Sequence, residues 1–277
     1  MKLQRRTFLK TSLAASATAA LGSRLGAAPA AASTAGRDFY EVRSYRLKAG
    51  ASRAGLDSYL EKALLPALDK RGIKHVGVFT ELEVNKASAT SKPKADTPVW
   101  VYIPYTSLDA FVSINADVHN DAAVQKAGGE YLNAKKSDPA FDRIDSWLLI
   151  AFQGQPRMQL PAFSKNKAPN RVFEMRDYES HSELKALNKI AMFNDGEIEI
   201  MQTLGMSPLF FGQALTGPNL PHLRYFTGGP DLATHLANWK KFGPDPRWEK
   251  LKVRPEYQDN TSKNTARFLA PTAYSQV

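Results

Sequence analysis

Between Tyr40 and Tyr45 the chain reads YEVRSY, with Tyr40, Val42 and Ser44 at one parity and Glu41, Arg43 and Tyr45 at the other. A period of two is the pattern of a strand whose successive side chains face opposite ways. The period then changes. In ASRAGLDSYLEKALLPALDKR, Leu56, Leu60, Leu64 and Leu68 recur four apart, the stripe of an amphipathic helix, and Gly72 supplies its stop. A strand-like run follows in GIKHVGVFT, then the turn-rich NKASATSKPKADTP, then a second run, VWVYIPY. A further helical stretch, SLDAFVSINADVHNDAAVQKAGGEYLNA, leads to the strand candidate RIDSWLLIAF. The predicted order is β-α-β-β-α-β.

The same order is then run through again. FEMRDY, Phe173 to Tyr178, repeats YEVRSY at an offset of 133 residues, and the same offset aligns GIKHVGVFT with GMSPLFFGQ. The second copy has its own helical stretch ending at Gly205, with Ser180 or Ser182 as N-cap, and the strand candidates HLRYFT and TARFLA flank DLATHLANWKKFGPDPRWEKLKV. This predicts an α+β fold of two tandem ferredoxin-like domains, at 37–153 and 171–270, joined by a linker at 154–170 and followed by a tail at 271–277. Each sheet carries helices on one face and leaves the other bare. The bare faces can be covered by packing the two sheets together, by curling them into a common barrel, or by pairing with a second chain as a homo-oligomer.

Composition changes the picture at the N-terminal end. With 43% hydrophobic and 10% aromatic residues the 277-residue chain is that of a folded protein, and its lack of cysteine excludes disulfides, thiolate metal sites and cysteine nucleophiles. Residues 1–36 differ: a basic start, MKLQRRTFLK, an Ala/Leu-rich middle and a small-residue run with cleavage sites such as Ala28-Pro29-Ala30. Arg5 and Arg6 followed by Phe8 and Leu9 resemble the twin-arginine export signal, with Gln4 where Ser or Thr usually stands. The middle is too short and too polar for a spanning helix, so the expectation is a periplasmic or secreted protein without a stable membrane anchor. This leader carries Lys2, Arg5, Arg6, Lys10 and Arg24 and no acid, so half of the formal net charge of +10 belongs to it. The remaining basic residues are scattered among acids, which gives no nucleic-acid footprint.

Three strings, FYEVRSYRLKAG, RVFEMRDY and LANWKKFGPDPRWEKLK, resemble the NIPSNAP family within the dimeric α+β barrel superfamily. The resemblance spans most of Arg37 to Ala270 and is stronger in the second copy, because the first has NDAAVQKAGGEYL where the family has its Asp-Pro-x-Trp segment. It implies the barrel fold. It implies no fixed activity: many members are known as domain-containing proteins of uncertain function, and the superfamily includes cofactor-independent monooxygenases and haem-binding or haem-degrading proteins.

The candidate chemistry is the repeated Glu-x-Arg-x-Tyr. On the paired-sheet expectation Phe173 and Met175 face the helices, while Glu41, Arg43, Tyr45, Glu174, Arg176 and Tyr178 line a shared interior that binds a small ligand. There the arginines would hold an anionic or enolate-like group, a tyrosine would donate and a glutamate would act as base. The plainer alternative is a Glu-Arg ion pair that fixes strand register. Fully paired arginines would speak against turnover, and an open cavity beside them would speak for it. No cofactor is expected; haem is the alternative, with His119 or His235 as axial ligand. His75, His181 and His222 complete the histidines, and none forms a metal-binding pair at helical spacing. Trp239, Phe242 and Trp248 with Pro244 and Pro246 form an aromatic cluster suited to packing or to a lid. There is no G-x-S-x-G, phosphate loop or G-x-G-x-x-G, which removes serine hydrolase, kinase and dinucleotide readings. The functional alternatives are therefore a ligand-binding protein, a cofactor-free monooxygenase-like or isomerase-like enzyme, a haem protein, and a structural protein.

Overall fold

The computed structural model describes residues 34–277, so Arg5, Arg6, Phe8 and Leu9 of the leader lie outside the described residues. Strand β1 (Phe39–Arg46) is buried on both faces from Phe39 to Tyr45. Its helix follows as α1 (Ala54–Tyr59), a single π-turn (Leu60–Leu64) and α2 (Leu65–Lys70). The half continues through β2 (Gly77–Asn85), β3 (Thr90–Pro93), β4 (Val99–Tyr105), α3 (Leu108–Asp117), α4 (Ala122–Ala127), α5 (Gly129–Leu132) and β5 (Arg143–Ala151). After α6 (Ala162–Lys165), the second half runs β6 (Val172–Glu179), α7 (Glu183–Met192), a second π-turn (Phe193–Glu197), α8 (Ile198–Thr203) and β7 (Phe210–Thr216). It ends with β8 (His222–Gly229), α9 (Leu232–Phe242), α10 (Pro246–Lys252) and β9 (Lys263–Pro271). Gly72 and Gly205 take positive φ of 82° and 77° after α2 and α8, the left-handed caps that glycine allows. Ser182 accepts from the Lys185 amide and caps α7.

The strands pair in the order β2-β4-β1-β5-β7-β8-β6-β9, and β9 returns to β2. All pairings are antiparallel, so eight strands close one barrel, with β3 added on the far end of β2. Each half keeps the ferredoxin-like strand order, and the halves are sewn at two seams, β5 to β7 and β2 to β9. Of the three ways to cover the bare faces, the common barrel is the one adopted. Strand β3 lies in the stretch expected as a plain loop; its four residues are all exposed, so burial periodicity gives no sign of it. The β2–β3 arm crosses the seam, where Leu82 and Val84 pack with Leu232 and Leu236 of α9.

The lumen is filled with rings. Tyr40, Phe79, Tyr102, Phe210 and Phe226 are fully buried, and their centroids stand 4.6 to 5.6 Å apart along the chain Tyr40, Phe210, Phe226, Phe79. Fully burying one such side chain contributes about 1.5–3 kcal/mol, so this interior is a core. The 154–170 segment does more than link: Met158, Leu160 and Phe163 pack against the lumen cluster. Residues 271–277 are likewise not a loose tail, since Val277 is fully buried in that cluster and its carbonyl oxygen accepts from Arg171 Nε and Nη2. The helices form the outer layer on both halves and enclose two further cores.

Candidate functional site

The two faces of β1 and β6 are the reverse of the expectation. Tyr40, Val42, Phe173 and Met175 point into the lumen, and Glu41, Arg43, Tyr45, Glu174, Arg176 and Tyr178 lie between the sheet and its helices. The physical reason is the supply of partners. A lumen closed by alternate strand residues is already filled by rings, whereas a helix laid across the other face brings polar side chains that a buried ion pair needs.

In the first half that supply is complete. Arg43 Nε donates to Glu41 Oε1 (2.6 Å) and Nη2 to Glu41 Oε2 (2.9 Å), a two-pronged grip. Nη2 also donates to Asn115 Oδ1 on α3 (2.5 Å), and Nη1 to the Tyr45 hydroxyl (3.3 Å). Glu41 further accepts from the Tyr105 hydroxyl (3.1 Å), Ser146 Oγ (2.9 Å) and Asn115 Nδ2 (3.3 Å). Burial by itself would raise the Glu41 pKa, but the Arg43 charge and these hydrogen bonds outweigh it and hold the carboxyl below its ordinary value. Such a carboxylate is a structural counter-ion and a weak base.

The second half keeps the motif and changes its surroundings. Strand pairing places Tyr105 opposite Phe39 and Gly229 opposite Val172, and Ser146 opposite Arg43 and Ala266 opposite Arg176. Helices α3 and α9 start after the capping residues Ser107 and Asp231, which puts Trp239 where Asn115 stands and His235 where Phe111 stands. Three polar partners are thereby lost, and one is gained. His235 Nε2 lies 2.8 Å from Glu174 Oε2 and 3.2 Å from Trp239 Nε1; toward an ionised carboxylate, which only accepts, Nε2 is the donor, and in the other tautomer it would accept from the indole N–H. Burial pushes Glu174 up, yet the His235 hydrogen bond and the Arg176 charge leave it below its ordinary value. Arg176 reaches Glu174 Oε1 through Nη1 alone (3.1 Å), and its guanidinium lies 4.5 Å from the Trp239 ring centroid. Tyr178 bonds Tyr225, hydroxyl to hydroxyl, at 2.8 Å.

Deeper in the same layer Lys189 Nζ donates to Glu197 Oε2 (2.9 Å) with both side chains buried. The rings of Phe193, Tyr178 and Trp248 surround the ammonium at 4.9 to 5.6 Å. The Trp239, Phe242 and Trp248 cluster is thus a packed wall of this layer, with Phe242 5.6 Å from Trp239 and 4.8 Å from Trp248. Burial raises the Glu197 pKa despite Lys189. At the 133-residue offset the pair falls on Leu56 and Leu64, a substitution legible once the copies are aligned.

Open space lies elsewhere. A cleft of about 590 Å³ opens in the first half between residues 47–56 and 130–141, with Leu47, Leu56, Tyr131 and Phe141 in its walls and Lys48 and Lys135 among its polar lining. Tyr131 stacks on Tyr59 (4.3 Å), and Tyr59 shares a 2.8 Å hydrogen bond with His119 Nε2. In the second half the equivalent place is filled: Asn188 Nδ2 donates to the Glu256 carbonyl (2.7 Å), and Lys185 Nζ to the Gln258 carbonyl (3.0 Å). The expected site residues are therefore brought together pairwise within each half and not into one shared cavity. Asn115 and Tyr131 gain their roles only from partners distant in sequence, and Lys189 and Glu197, eight residues apart on one helical stretch, carry the charges of a solvated face until the fold buries them.

Neither histidine fits haem. His235 is fully buried, its Nε2 is committed to Glu174, and Phe268 and Trp239 stand edge-on at 6.0 and 6.5 Å. His119 Nε2 is held by Tyr59, and His119 is not among the residues lining the cleft. His75, His181 and His222 join neither network, though His222 is buried at the barrel rim. Among the described residues no helix is long and apolar enough to cross a membrane.

Residues 173–276 match the NIPSNAP family, and residues 2–22 match the TAT (twin-arginine translocation) pathway signal sequence, which marks the chain for export by that route. The family match falls on the half that carries Trp239 and Trp248. Two solved structures share the fold over most of both chains. One is a candidate monooxygenase from Lactobacillus acidophilus NCFM, at 9% identity over 85% of this chain and 94% of that one, with a TM-score of 0.50. The other is a candidate monooxygenase from Fusobacterium nucleatum subsp. nucleatum, at 10% identity over 86% and 93%, with a TM-score of 0.52. A NIPSNAP-like domain protein from Burkholderia xenovorans is 19% identical over 38% of this chain and 89% of that one, with a TM-score of 0.35. No curated protein matches the chain. At these identities the likeness speaks for the fold alone.

Proposed function

We propose that this exported NIPSNAP-domain protein binds a small organic molecule in the cleft of the first half, between the segment that joins β1 to α1 and the segment that joins α5 to β5. The observation that carries the reading is the cleft of about 590 Å³, walled by Leu47, Leu56, Tyr131 and Phe141, beside a lumen whose space is taken by stacked rings. That volume lies in the range of small-molecule sites, and an aromatic wall with a few polar groups is their usual lining. Binding is favoured over turnover because Glu41, the motif carboxylate of this half, is held ionised by four residues and makes a weak base. The oxygenase label borne by two fold neighbours adds no residue to this cleft. The test isolates the protein after export and weighs it by native mass spectrometry. A co-purifying small molecule is expected, and Phe141→Asp, a change at a partly exposed wall position, should release it while circular dichroism stays unchanged. A protein that carries nothing, or a variant that retains the same molecule, would overturn the reading.

A further inference from the structure

Two leucines on the outer face of α7 and two at the β7–β8 hairpin beside it face solvent. Leu184 is 76% exposed, Leu187 49%, Leu215 45% and Leu220 48%. A single exposed leucine is ordinary on a protein surface, but these four share one place. Leu187, Leu215 and Leu220 wall a groove of about 270 Å³ together with Ala186 and Ala214, and Leu184 projects from α7 one turn before Leu187. No lysine or arginine lines the groove among the described residues, and Glu183 is its one acid. The inner face of α7 is already used, since Ala186, Ile190 and Met192 are buried, so the helix carries a second apolar stripe that its own chain leaves uncovered. The first half builds the equivalent place differently. At the 133-residue offset Leu184 and Leu187 become Ala51 and Ala54, and Leu215 becomes Leu82, which packs with Leu232 and Leu236 of α9. At one seam, therefore, the fold itself covers this strand-end leucine with helix leucines, and at the other it does not.

From this arrangement we infer that the α7 and β7–β8 face is an interface between two copies of the chain, related by a two-fold axis, in which Leu184 of each copy enters the leucine groove of the other. A second copy is the occupant because the patch holds both parts of the contact: a protruding leucine and, beside it, a hole lined by apolar side chains. Such a surface is complementary to itself, and a two-fold contact satisfies both copies at once and closes. The same chemistry, helix leucines laid on a strand-end leucine, is what the chain uses on Leu82 at its other seam. The size agrees. Four leucines exposed by about half or more make a patch of a few hundred Å², the apolar centre of a contact that needs about 800 Å² per partner. The face shares no lining residue with the cleft of the first half, so the interface stands or falls independently of the ligand proposed there.

The test measures the mass of the exported protein by sedimentation equilibrium over micromolar concentrations. Twice the chain mass is expected. Leu184→Lys changes the most exposed of the four leucines, so circular dichroism and Tm should stay as in the wild type while the dimer Kd rises at least tenfold. Leu187→Lys should act in the same direction from the wall of the groove. Leu108→Lys, at an exposed leucine of α3 outside the patch, is the control and should leave the dimer intact. A wild type that stays monomeric throughout the range would overturn the proposal, as would a monomeric chain that carries a different protein on this face. A dimer that Leu184→Lys leaves as tight as before, or that Leu108→Lys weakens equally, would place the contact elsewhere and overturn the assignment.

Discussion

The two halves share one backbone plan and one motif, yet the first half grips its arginine with a two-pronged carboxylate and an amide while the second gives it one carboxylate contact and an indole face. The difference traces to three positions around the Glu-Arg pair: Tyr105 against Gly229, Asn115 against Trp239, and Ser146 against Ala266. The first of them has a steric reason. A Cβ on Gly229 would stand 3.0 Å from the Cβ of His235 and 3.1 Å from the Asp231 carbonyl oxygen, so the close approach of the first turn of α9 favours a glycine here. The same strand motif thus carries a saturated ion pair in one half and, in the other, an ion pair backed by one histidine and one indole ring. The halves differ in the same sense at the π-turn. The second carries a buried Lys189–Glu197 pair where the first carries Leu56 and Leu64, and the groove beside it is filled where the first is open.

The largest effect is expected at that pair. Glu197→Leu leaves the Lys189 ammonium buried without its carboxylate and should cost about 5 kcal/mol, the upper end for breaking a buried pair. Adding Lys189→Leu rebuilds the first-half arrangement and should return most of the loss, because well-packed leucines replace buried ions at little or no cost. Urea midpoints of the wild type, the single and the double variant measure this. A double variant as unstable as the single would mean that the aromatic cage around Lys189 needs the charge, and that the halves differ there by more than an exchange of packing.

Much of this comparison is legible in the sequence. The offset of 133 residues aligns β1 with β6 and one π-turn with the other, and period-two and period-four patterns place the strands and helices. What the pattern does not reveal is which face of β1 looks inward, because both parities are buried and alternation alone is symmetric. Glu41, Arg43 and Tyr45 read as interior on the premise that polar residues avoid helices; Asn115 and His235 reverse that premise by bringing partners from the helices. The packing of Val277 and Met158 was equally hidden, since single apolar residues in polar segments carry no period.

A smaller contrast separates the two arginines. Arg43→Gln leaves Glu41 buried with neutral donors only and should cost about 3 kcal/mol. Arg176→Gln should cost more, about 4 kcal/mol, because it leaves the buried Glu174 carboxylate with His235 as its one remaining partner and removes the contact with Trp239. Thermal unfolding of both variants reads the difference. A smaller loss at Arg176 than at Arg43 would show that His235 takes over the part of the cation at Glu174.

The smallest expected effect is a pH slope that belongs mainly to the second half. His222 is buried at the start of β8, its Nδ1 donates to the Asn219 carbonyl (3.1 Å), and its Nε2 has no partner. Burial, then the Arg224 charge, lowers its pKa, with Asp177 and Glu179 opposing in part. Because the folded value lies below the ordinary 6.5, the unfolded chain takes up a proton that the folded protein refuses, so stability is full above about pH 6.5 and declines as the pH falls through it. The decline is bounded at about 1.4 kcal/mol per pH unit for one group. His119 and His75, also lowered by burial but more exposed, add a smaller slope of the same sign. His222→Gln should therefore flatten most of the change in Tm between pH 7.5 and 5.5. The first half has Pro98 at the equivalent position and nothing there to titrate, so a slope that survives the substitution intact would move the pH sensitivity to His119 and reverse the assignment of this difference between the halves.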